Sequence, residues 1–237
     1  MTFLNKLLFI LLGILAFSCS SAPKTFVEKV EEAHGKSTFS KHSAIAFDLQ
    51  LFFGGTERFN RRITWATNSS KGELDYKDGR KIEVNEMEIT YSDTSMSEES
   101  ARFTAYTWSY FFMLPYKLSD PGTQWNDYEN KSMNGTEYDV EKLSFESGTG
   151  DAPDDCYVVY ADKESHLIHV ASYIVTAGQS VEEAEKDPHA IKYDEYKEID
   201  GVPIAHKWSF WGWTETEGMT DELGYANLSN TCFVEDF

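Results

Sequence analysis

Hydrophobic and polar residues alternate over many short segments of this chain, and this pattern constrains the fold more than any other feature. In residues 44–52, Ile45, Phe47 and Leu49 alternate with Ala46 and Asp48. Successive side chains of a strand point to opposite faces, so the pattern predicts a strand with one buried face. Segments of similar pattern, separated by turn residues, predict further strands at 59–68, 71–77, 81–90, 136–145, 156–161, 166–176, 191–198 and 204–213. We therefore expect a largely antiparallel sheet.

Two longer segments depart from this alternation and predict helices. Residues 25–34 place apolar side chains at helical spacing, and Gly35 follows where a helix commonly ends. Residues 95–115 begin with the capping-box spacing of Ser95 and Glu98, carry many aromatic side chains and stop at Pro115. The bulk of these side chains indicates that the second helix packs against the sheet. A short helical turn is expected at 180–186.

The first residues have the pattern of an export signal. Lys6 precedes an apolar run over residues 7–17, which is too short to span a bilayer as a helix. Ser18, directly before Cys19, is the small residue that a signal peptidase requires. We predict a signal peptide over residues 1–18, a tether over 19–24 and a single domain over 25–237.

The sequence Leu-Ala-Phe-Ser-Cys at residues 15–19 resembles a lipobox, the motif whose cysteine receives a diacylglyceryl group and, after cleavage, an acyl group such as palmitate. This resemblance implies a lipid anchor on Cys19. The alternative is ordinary secretory cleavage that leaves Cys19 unmodified. A free exposed thiol is poorly suited to an oxidising compartment, which favours the lipid anchor.

Charge narrows the range of partners. The chain has 40 acidic and 21 basic residues and a net charge of -19. Such acidity repels phosphates, so we do not expect a nucleic-acid partner, and adsorption to an anionic membrane through charge is disfavoured. If the protein sits at a membrane, the lipid on Cys19 must hold it there.

The sequence contains no complete motif for catalysis or metal binding. Ser180 lacks the second glycine of a nucleophile elbow and is better explained as a helix cap. His166 and His169 would lie on opposite faces of a strand, which does not suit a shared metal. The acidic loop 151–155 lacks the spacing of a calcium-binding loop, so we interpret it as a solvated turn, with a bound cation as the alternative. We therefore predict no catalytic residues, no metal and no cofactor.

Cys156 and Cys232 could form a disulfide in an exported protein, and two separate thiols are the equal alternative.

Aromatic residues are the most suggestive feature. Trp208 and Phe210 should point to one face of the last predicted strand, and Trp211 and Trp213 to the other. A core on both faces of the sheet, an apolar cavity for an acyl chain and a platform for carbohydrate are the three interpretations. Under the cavity interpretation, the ligand-binding candidates are Phe103, Tyr106, Tyr110, Phe111, Trp208 and Phe210.

Several short blocks, taken in order along the chain, resemble a known fold. They are the helix end at 33–35, the aromatic block at 110–118, the turn at 120–122, the loop 150–155 before 157–160, and the hairpin from 193–196 to 199–205. Their order resembles the LolA/LolB-like lipoprotein carriers and, more closely, Gram-negative cell-envelope lipoproteins of unknown function. The resemblance implies an α+β fold, in which a curved antiparallel sheet or open half-barrel has helices packed on its concave side.

Our leading hypothesis is therefore a noncatalytic lipoprotein of the Gram-negative cell envelope, expected in the outer membrane. It would bind a lipid or other hydrophobic ligand in the half-barrel. A hydrolase of glycans or esters and an acidic protein-interaction module are the alternatives.

Overall fold

Antiparallel strands make up most of the protein. The computed structural model describes residues 22–129 and 131–237, so Cys19 and the predicted signal peptide lie outside the described residues. The strands are β1 (Ala44–Phe53), β2 (Thr56–Ala66), β3 (Lys71–Tyr76), β4 (Lys81–Asn85), β5 (Glu88–Tyr91), β6 (Thr123–Asp127), β7 (Ser132–Met133), β8 (Thr136–Phe145), β9 (Tyr157–Asp162), β10 (Ile168–Tyr173), β11 (His189–Ile199), β12 (Val202–Thr214) and β13 (Gly218–Val234).

The strands form one open sheet. Its order is β5-β4-β3-β2-β1-β13-β12-β11-β10-β9-β8-β6, and the short β7 pairs with β8. Most neighbours in the sheet follow one another in the chain, but β13 lies between β1 and β12. The end strands β5 and β6 are not paired with each other, so the sheet curves without closing into a barrel. The predicted α+β half-barrel is confirmed.

In the described part of the chain, four α-helices accompany the sheet, and residues of the first three belong to the main core on its concave side. The helices are α1 (Phe26–Ala33), α2 (Lys36–Phe39), α3 (Glu98–Met113) and α4 (Val181–Ala184). The first helix begins where the sequence predicts, because Thr25 and Glu28 form a reciprocal capping box. Its Phe26 and Val30 are buried, and its last turn is followed by Gly35 with φ 68°.

The long helix α3 begins two residues later than the predicted cap. Ser97, not Ser95, accepts the hydrogen bond from the Ser100 backbone amide at 3.1 Å. Ser95 is held instead by Asp93, whose carboxylate accepts from the Ser95 backbone amide at 3.0 Å and from its hydroxyl at 2.6 Å. A carboxylate two residues upstream is a strong local acceptor. The hydrogen bonds from Ser95 to Asp93 therefore form a turn, and Ser95 is not available to cap the helix.

The sheet is buried on both faces, as the two-sided core interpretation of the aromatic residues expects. We call the face that carries the helices the inner face, and its core includes Trp208 and Phe210. On the outer face, Trp213 belongs to a smaller cluster with Tyr160 and Val170, and half-buried Trp211 packs against it. The predicted alternation along β12 is thus present.

Three parts of the sheet differ from the sequence prediction. The predicted strand at 81–90 is a hairpin of β4 and β5, because Glu86 adopts a left-handed conformation with φ 54°. The strands β6 and β7 were not predicted. The longest strand, β13, was also missed, because small residues such as Gly224 and Ala226 occupy its buried face.

Cys156 and Cys232 are separate free thiols, so the disulfide alternative is wrong in this structure. Cys156 is half-buried just before β9, whereas Cys232 lies exposed on β13 and accepts a contact from the Arg62 guanidinium at 3.4 Å. In the sheet, β10, β11 and β12 lie between these two strands. Neighbouring strands are about 4.8 Å apart, so the thiols lie beyond disulfide reach.

Within the ranges 22–129 and 131–237, no helix is long and apolar enough to cross a membrane.

Candidate functional site

The candidate site is the layer of aromatic side chains between α3 and the inner face. Trp108 of α3 lies 5.9 Å from Phe210 of β12 and 5.6 Å from Phe59 of β2, measured between ring centroids. Phe111 lies 5.9 Å from Phe210 and 5.0 Å from Tyr173 of β10. These distances are typical of packed aromatic pairs, so α3 is held on the sheet mainly by ring contacts.

The amino-terminal half of α3 reaches both ends of the open sheet. The Arg102 guanidinium donates to the Met87 carbonyl at 3.1 Å, in the turn between β4 and β5. It also donates through Nε to Asp151 at 2.9 Å, in the loop between β8 and β9. This hydrogen bond from Arg102 to Asp151 raises the pKa of the guanidinium. We call the contacts of Arg102 with Met87 and Asp151 the Arg102 bridge.

The carboxyl-terminal end of α3 is fixed more firmly. The Tyr193 hydroxyl donates to the Phe111 carbonyl at 2.8 Å, which ties α3 to β11. Phe112 and Met113 are buried, whereas Glu98, Glu99 and Ser100 in the first turn are exposed. The first turn of α3 is therefore more exposed than its carboxyl-terminal end, although Ala101 and Ala105 directly after that turn are buried.

Little empty space remains below the end of α3. A cavity of about 20 Å³ lies there, which is room for about one water molecule. The lining residues are His34, Phe111, Phe112, Pro115, Tyr116, Tyr193, Tyr196, Pro203, Ile204, Ala205 and Trp208. In this conformation the cavity below the end of α3 has no room for an acyl chain.

His34 in this lining is a neutral structural residue. Its Nε2 accepts a hydrogen bond from the Ile168 backbone amide at 3.0 Å, at the start of β10. Complete burial lowers the pKa of His34 to about 3. The side chain therefore stays unprotonated at neutral pH and joins the early helices to the middle of the sheet.

The six predicted ligand-binding residues occupy different places. Phe111 and Phe210 meet in the aromatic layer, and Trp208 is buried beside the small cavity. Tyr106 packs edge-on against Trp65 at 6.2 Å. Phe103 faces solvent and is 43% exposed. The structure thus places five of the six on the inner side and leaves Phe103 outside.

Tyr110, the fifth inner-side residue, has an unusual hydroxyl. Its ring lies 5.4 Å from Tyr157 and 6.3 Å from Phe145. Its hydroxyl is buried and has no hydrogen-bond partner among the described residues. Burial raises the pKa of Tyr110 far above the usual range, so the group is a neutral potential donor.

Several members of the aromatic layer were not among the predicted candidates. Trp108 is the most central, and Phe53 and Phe59 contribute from β1 and β2. Trp108 follows Ala101 and Ala105 at spacings of seven and three residues, which places these side chains along one helical face. That spacing could have identified Trp108 in the sequence.

The acidic loop has structural roles. Asp151 is paired with Arg102, and the Asp155 carboxylate accepts from the Thr176 amide at 2.8 Å and its hydroxyl at 2.7 Å. Burial raises the pKa of Asp155.

Among residues 22–129 and 131–237, no group of three or more His, Cys, Asp or Glu side chains is placed to hold a metal. An open groove of about 450 Å³ lies beside this loop, with Lys142 and Cys156 in its lining.

Two solved structures from Gram-negative bacteria have a similar fold. A LolA superfamily protein from Nitrosomonas europaea superposes with a TM-score of 0.56 at 10% identity, over 88% of this chain and 92% of that chain. A protein from Vibrio parahaemolyticus described as an outer membrane lipoprotein-sorting protein domain superposes with a TM-score of 0.52 at 12% identity, over 90% and 95%. The chain therefore has a LolA-like fold.

The sequence matches the family of unknown function DUF6503 over residues 6–200, and the chain belongs to that family. A search of curated proteins finds no match.

Proposed function

We propose that this chain is a noncatalytic lipoprotein of the cell envelope that binds a lipid or another hydrophobic ligand between α3 and the inner face. The observation that carries the proposal is the aromatic layer itself. It is apolar and partly accessible, because Trp108, Tyr106 and Phe53 are only half-buried. Aromatic side chains gathered under one helix offer a large apolar contact area to an acyl chain.

Ligand entry in this proposal requires α3 to move, because the present cavity holds about one water molecule. The unequal attachment of the helix indicates the direction of that movement. Its carboxyl-terminal end stays bound through Tyr193, and its amino-terminal half swings away when the Arg102 bridge opens. The ligand then takes the place that the α3 rings occupy in the closed state.

The envelope location rests on two supports. The first is the lipobox-like sequence that ends at Cys19. The second is the fold, because one structural relative is described as an outer membrane lipoprotein-sorting domain. We propose that lipid on Cys19 holds the protein in the outer membrane and that the tether lets the half-barrel face the periplasm.

Quenching by brominated stearate tests the binding site directly, because bromine quenches tryptophans that touch the acyl chain. Of the six tryptophans, Trp108 lies in the aromatic layer and Trp211 packs against the outer-face cluster. We expect saturable quenching of the wild type. Trp108→Phe should remove a large part of the quenched signal, whereas Trp211→Phe, a matched change in a half-buried tryptophan, should leave it unchanged.

Two results would overturn the proposal. One is the absence of saturable quenching in the wild type. The other is quenching that survives in Trp108→Phe and disappears in Trp211→Phe, which would place the ligand on the outer face.

A further inference from the structure

Arg61 is a charged residue in an apolar position. It lies on β2 between Phe59 and Ile63, and alternation along the strand places all three side chains on the inner face. Phe59 and Ile63 belong to the main core. A guanidinium at such a place normally has a carboxylate partner, because an unpaired charge is costly to remove from water.

Arg61 has no such partner among the described residues. Its guanidinium carbon stacks 3.8 Å from the Phe59 ring centroid and 3.6 Å from that of Tyr76, the residue directly opposite on β3. No carboxylate in the described ranges forms a hydrogen bond or ion pair with it, although the protein has 40 acidic residues. Burial lowers the pKa of Arg61 to about 10.

The nearest carboxylates are engaged by a different arginine. Arg80 also lies over the Tyr76 ring, at 4.8 Å, and binds Asp78 through Nε at 3.0 Å. The same arginine pairs with Asp93. No hydrogen bond among the described residues uses the five N–H donors of Arg61. Its positive charge lies against two aromatic faces, with the carboxylate of Asp78 as a more distant favourable charge.

A second unpartnered group lies beside Arg61. The Tyr76 hydroxyl is buried, and no hydrogen-bond partner for it exists within the described part of the chain. Tyr76 as a whole is 9% exposed. An unpaired hydroxyl is costly in a core, so this one needs a partner such as a water molecule, an ion or a ligand.

The aromatic layer leads to this position. Phe210 packs on Trp108, Trp108 packs on Phe59, and Phe59 packs on the Arg61 guanidinium. An apolar path across the inner face therefore ends at a cation with free donors. This is the arrangement that an amphiphile with an acyl chain and an anionic head group requires.

We propose that Arg61 and the Tyr76 hydroxyl bind the anionic head group of the ligand, a carboxylate or phosphate, while its acyl chain lies along the aromatic layer. This inference rests on the proposed function and adds the class of ligand, an anionic amphiphile. Arg61 donates its N–H groups to the oxygens of the head group, and the Tyr76 hydroxyl donates one more hydrogen bond. The two stacked rings hold the guanidinium in place before the ligand arrives.

Calorimetric titration with laurate and with neutral 1-lauroylglycerol tests this assignment, because the two ligands share one acyl chain. We expect the wild type to bind laurate more tightly. Arg61→Gln should weaken laurate binding by roughly tenfold or more, the usual effect of losing a hydrogen bond to a charged group, and should leave 1-lauroylglycerol binding unchanged. Arg58→Gln is the matched control, because Arg58 is exposed on the same strand.

Tyr76→Phe provides a second variant that should fold well, since it removes an unpaired hydroxyl and keeps the stack on Arg61. We expect it to weaken laurate binding several-fold and to spare the neutral ligand. Lauryl phosphate distinguishes phosphate from carboxylate as the preferred head group. Acetate and inorganic phosphate, which have no acyl chain, should show no measurable binding.

The outcomes separate the two proposals. If the wild type binds neither laurate nor 1-lauroylglycerol, the proposed function fails. If it binds both equally, or if Arg61→Gln lowers both affinities by the same factor, only the head-group assignment fails. Tight binding of acetate or inorganic phosphate would show a site for a free anion and would also overturn the amphiphile assignment.

Discussion

At the residue scale, His34 joins parts of the chain that are far apart in sequence. It follows α1, yet its ring accepts a hydrogen bond from the Ile168 amide in the middle of the sheet. It also packs edge-on against Tyr196 at 5.7 Å. Burial lowers the pKa of His34 to about 3, so the folded protein resists protonation that the unfolded chain accepts.

His34 should therefore make the protein less stable in mild acid. The unfolded histidine takes up a proton below about pH 6.5 and the folded one does not, so stability falls as the pH drops. From this group alone we expect a loss of roughly 2 kcal/mol between about pH 6.5 and pH 5. Urea unfolding of the wild type and His34→Gln over this range measures it.

The variant keeps a hydrogen-bond acceptor for Ile168 but cannot be protonated, so its stability should depend less on pH. His42→Gln is the control, because His42 lies near the surface against Phe233. Parallel stability curves for the wild type and His34→Gln would show that His34 does not carry the acid sensitivity.

At the element scale, α3 combines a firmly bound end with a loosely bound one. Tyr193 holds its carboxyl-terminal end, and the Arg102 bridge holds the other half against both ends of the sheet. Arg102 and Asp151 are both partly accessible, so their pair contributes modestly to stability. A weak contact at the free end of a helix suits an element that opens.

Arg102→Ala should accelerate ligand entry. Loss of a partly exposed ion pair lowers the cost of opening by about 1 kcal/mol or less, so we expect the association rate of brominated stearate to rise by up to about fivefold. Stopped-flow tryptophan quenching measures this rate.

Lys131→Ala is the control for Arg102→Ala, because it removes an exposed pair with Asp127, between β6 and β7, that involves no residue of α3. An unchanged association rate in Arg102→Ala, or an equal increase in Lys131→Ala, would contradict a role for the Arg102 bridge in opening.

Most elements of the fold were predictable from local patterns, and those that were missed have physical reasons. The strand β1 and the helix α1 have clear periodicity and recognisable caps. By contrast, the buried face of β13 carries small residues, so its sequence shows little hydrophobic alternation. A Cβ on Gly224 would lie 2.2 Å from the Phe52 carbonyl oxygen, so the close approach of β1 requires glycine and removes the hydrophobic signal.

The candidate site was predictable only in part, because its contacts join distant segments. Phe111 and Phe210 were chosen for their aromatic character, and the structure brings them together. Phe103 has the same character but faces solvent. The unpaired state of Arg61 could not be read from the sequence, because it depends on where the carboxylates of β3, β4 and the following turns point in the folded protein.

At the scale of the whole molecule, the proposed anchoring depends on Cys19. We expect the exported wild type to fractionate with membranes and Cys19→Ala to be released into the soluble fraction. Denaturing mass spectrometry should show diacylglyceryl and acyl groups on the mature wild type and no lipid on the variant. Cys232→Ala, which removes an exposed thiol on β13, should behave like the wild type. A wild-type mass without added lipid would contradict the anchor.

The position of β13 has a consequence for the order of assembly. This strand is synthesised after every other described strand, yet it fills the gap between β1 and β12. Until the ribosome has released it, the nascent chain can build only two separate sheets with unsatisfied borders. Such a chain cannot complete the single sheet before its last strand is available. A premature stop ahead of residue 218 would yield two mismatched halves instead of a slightly shorter protein.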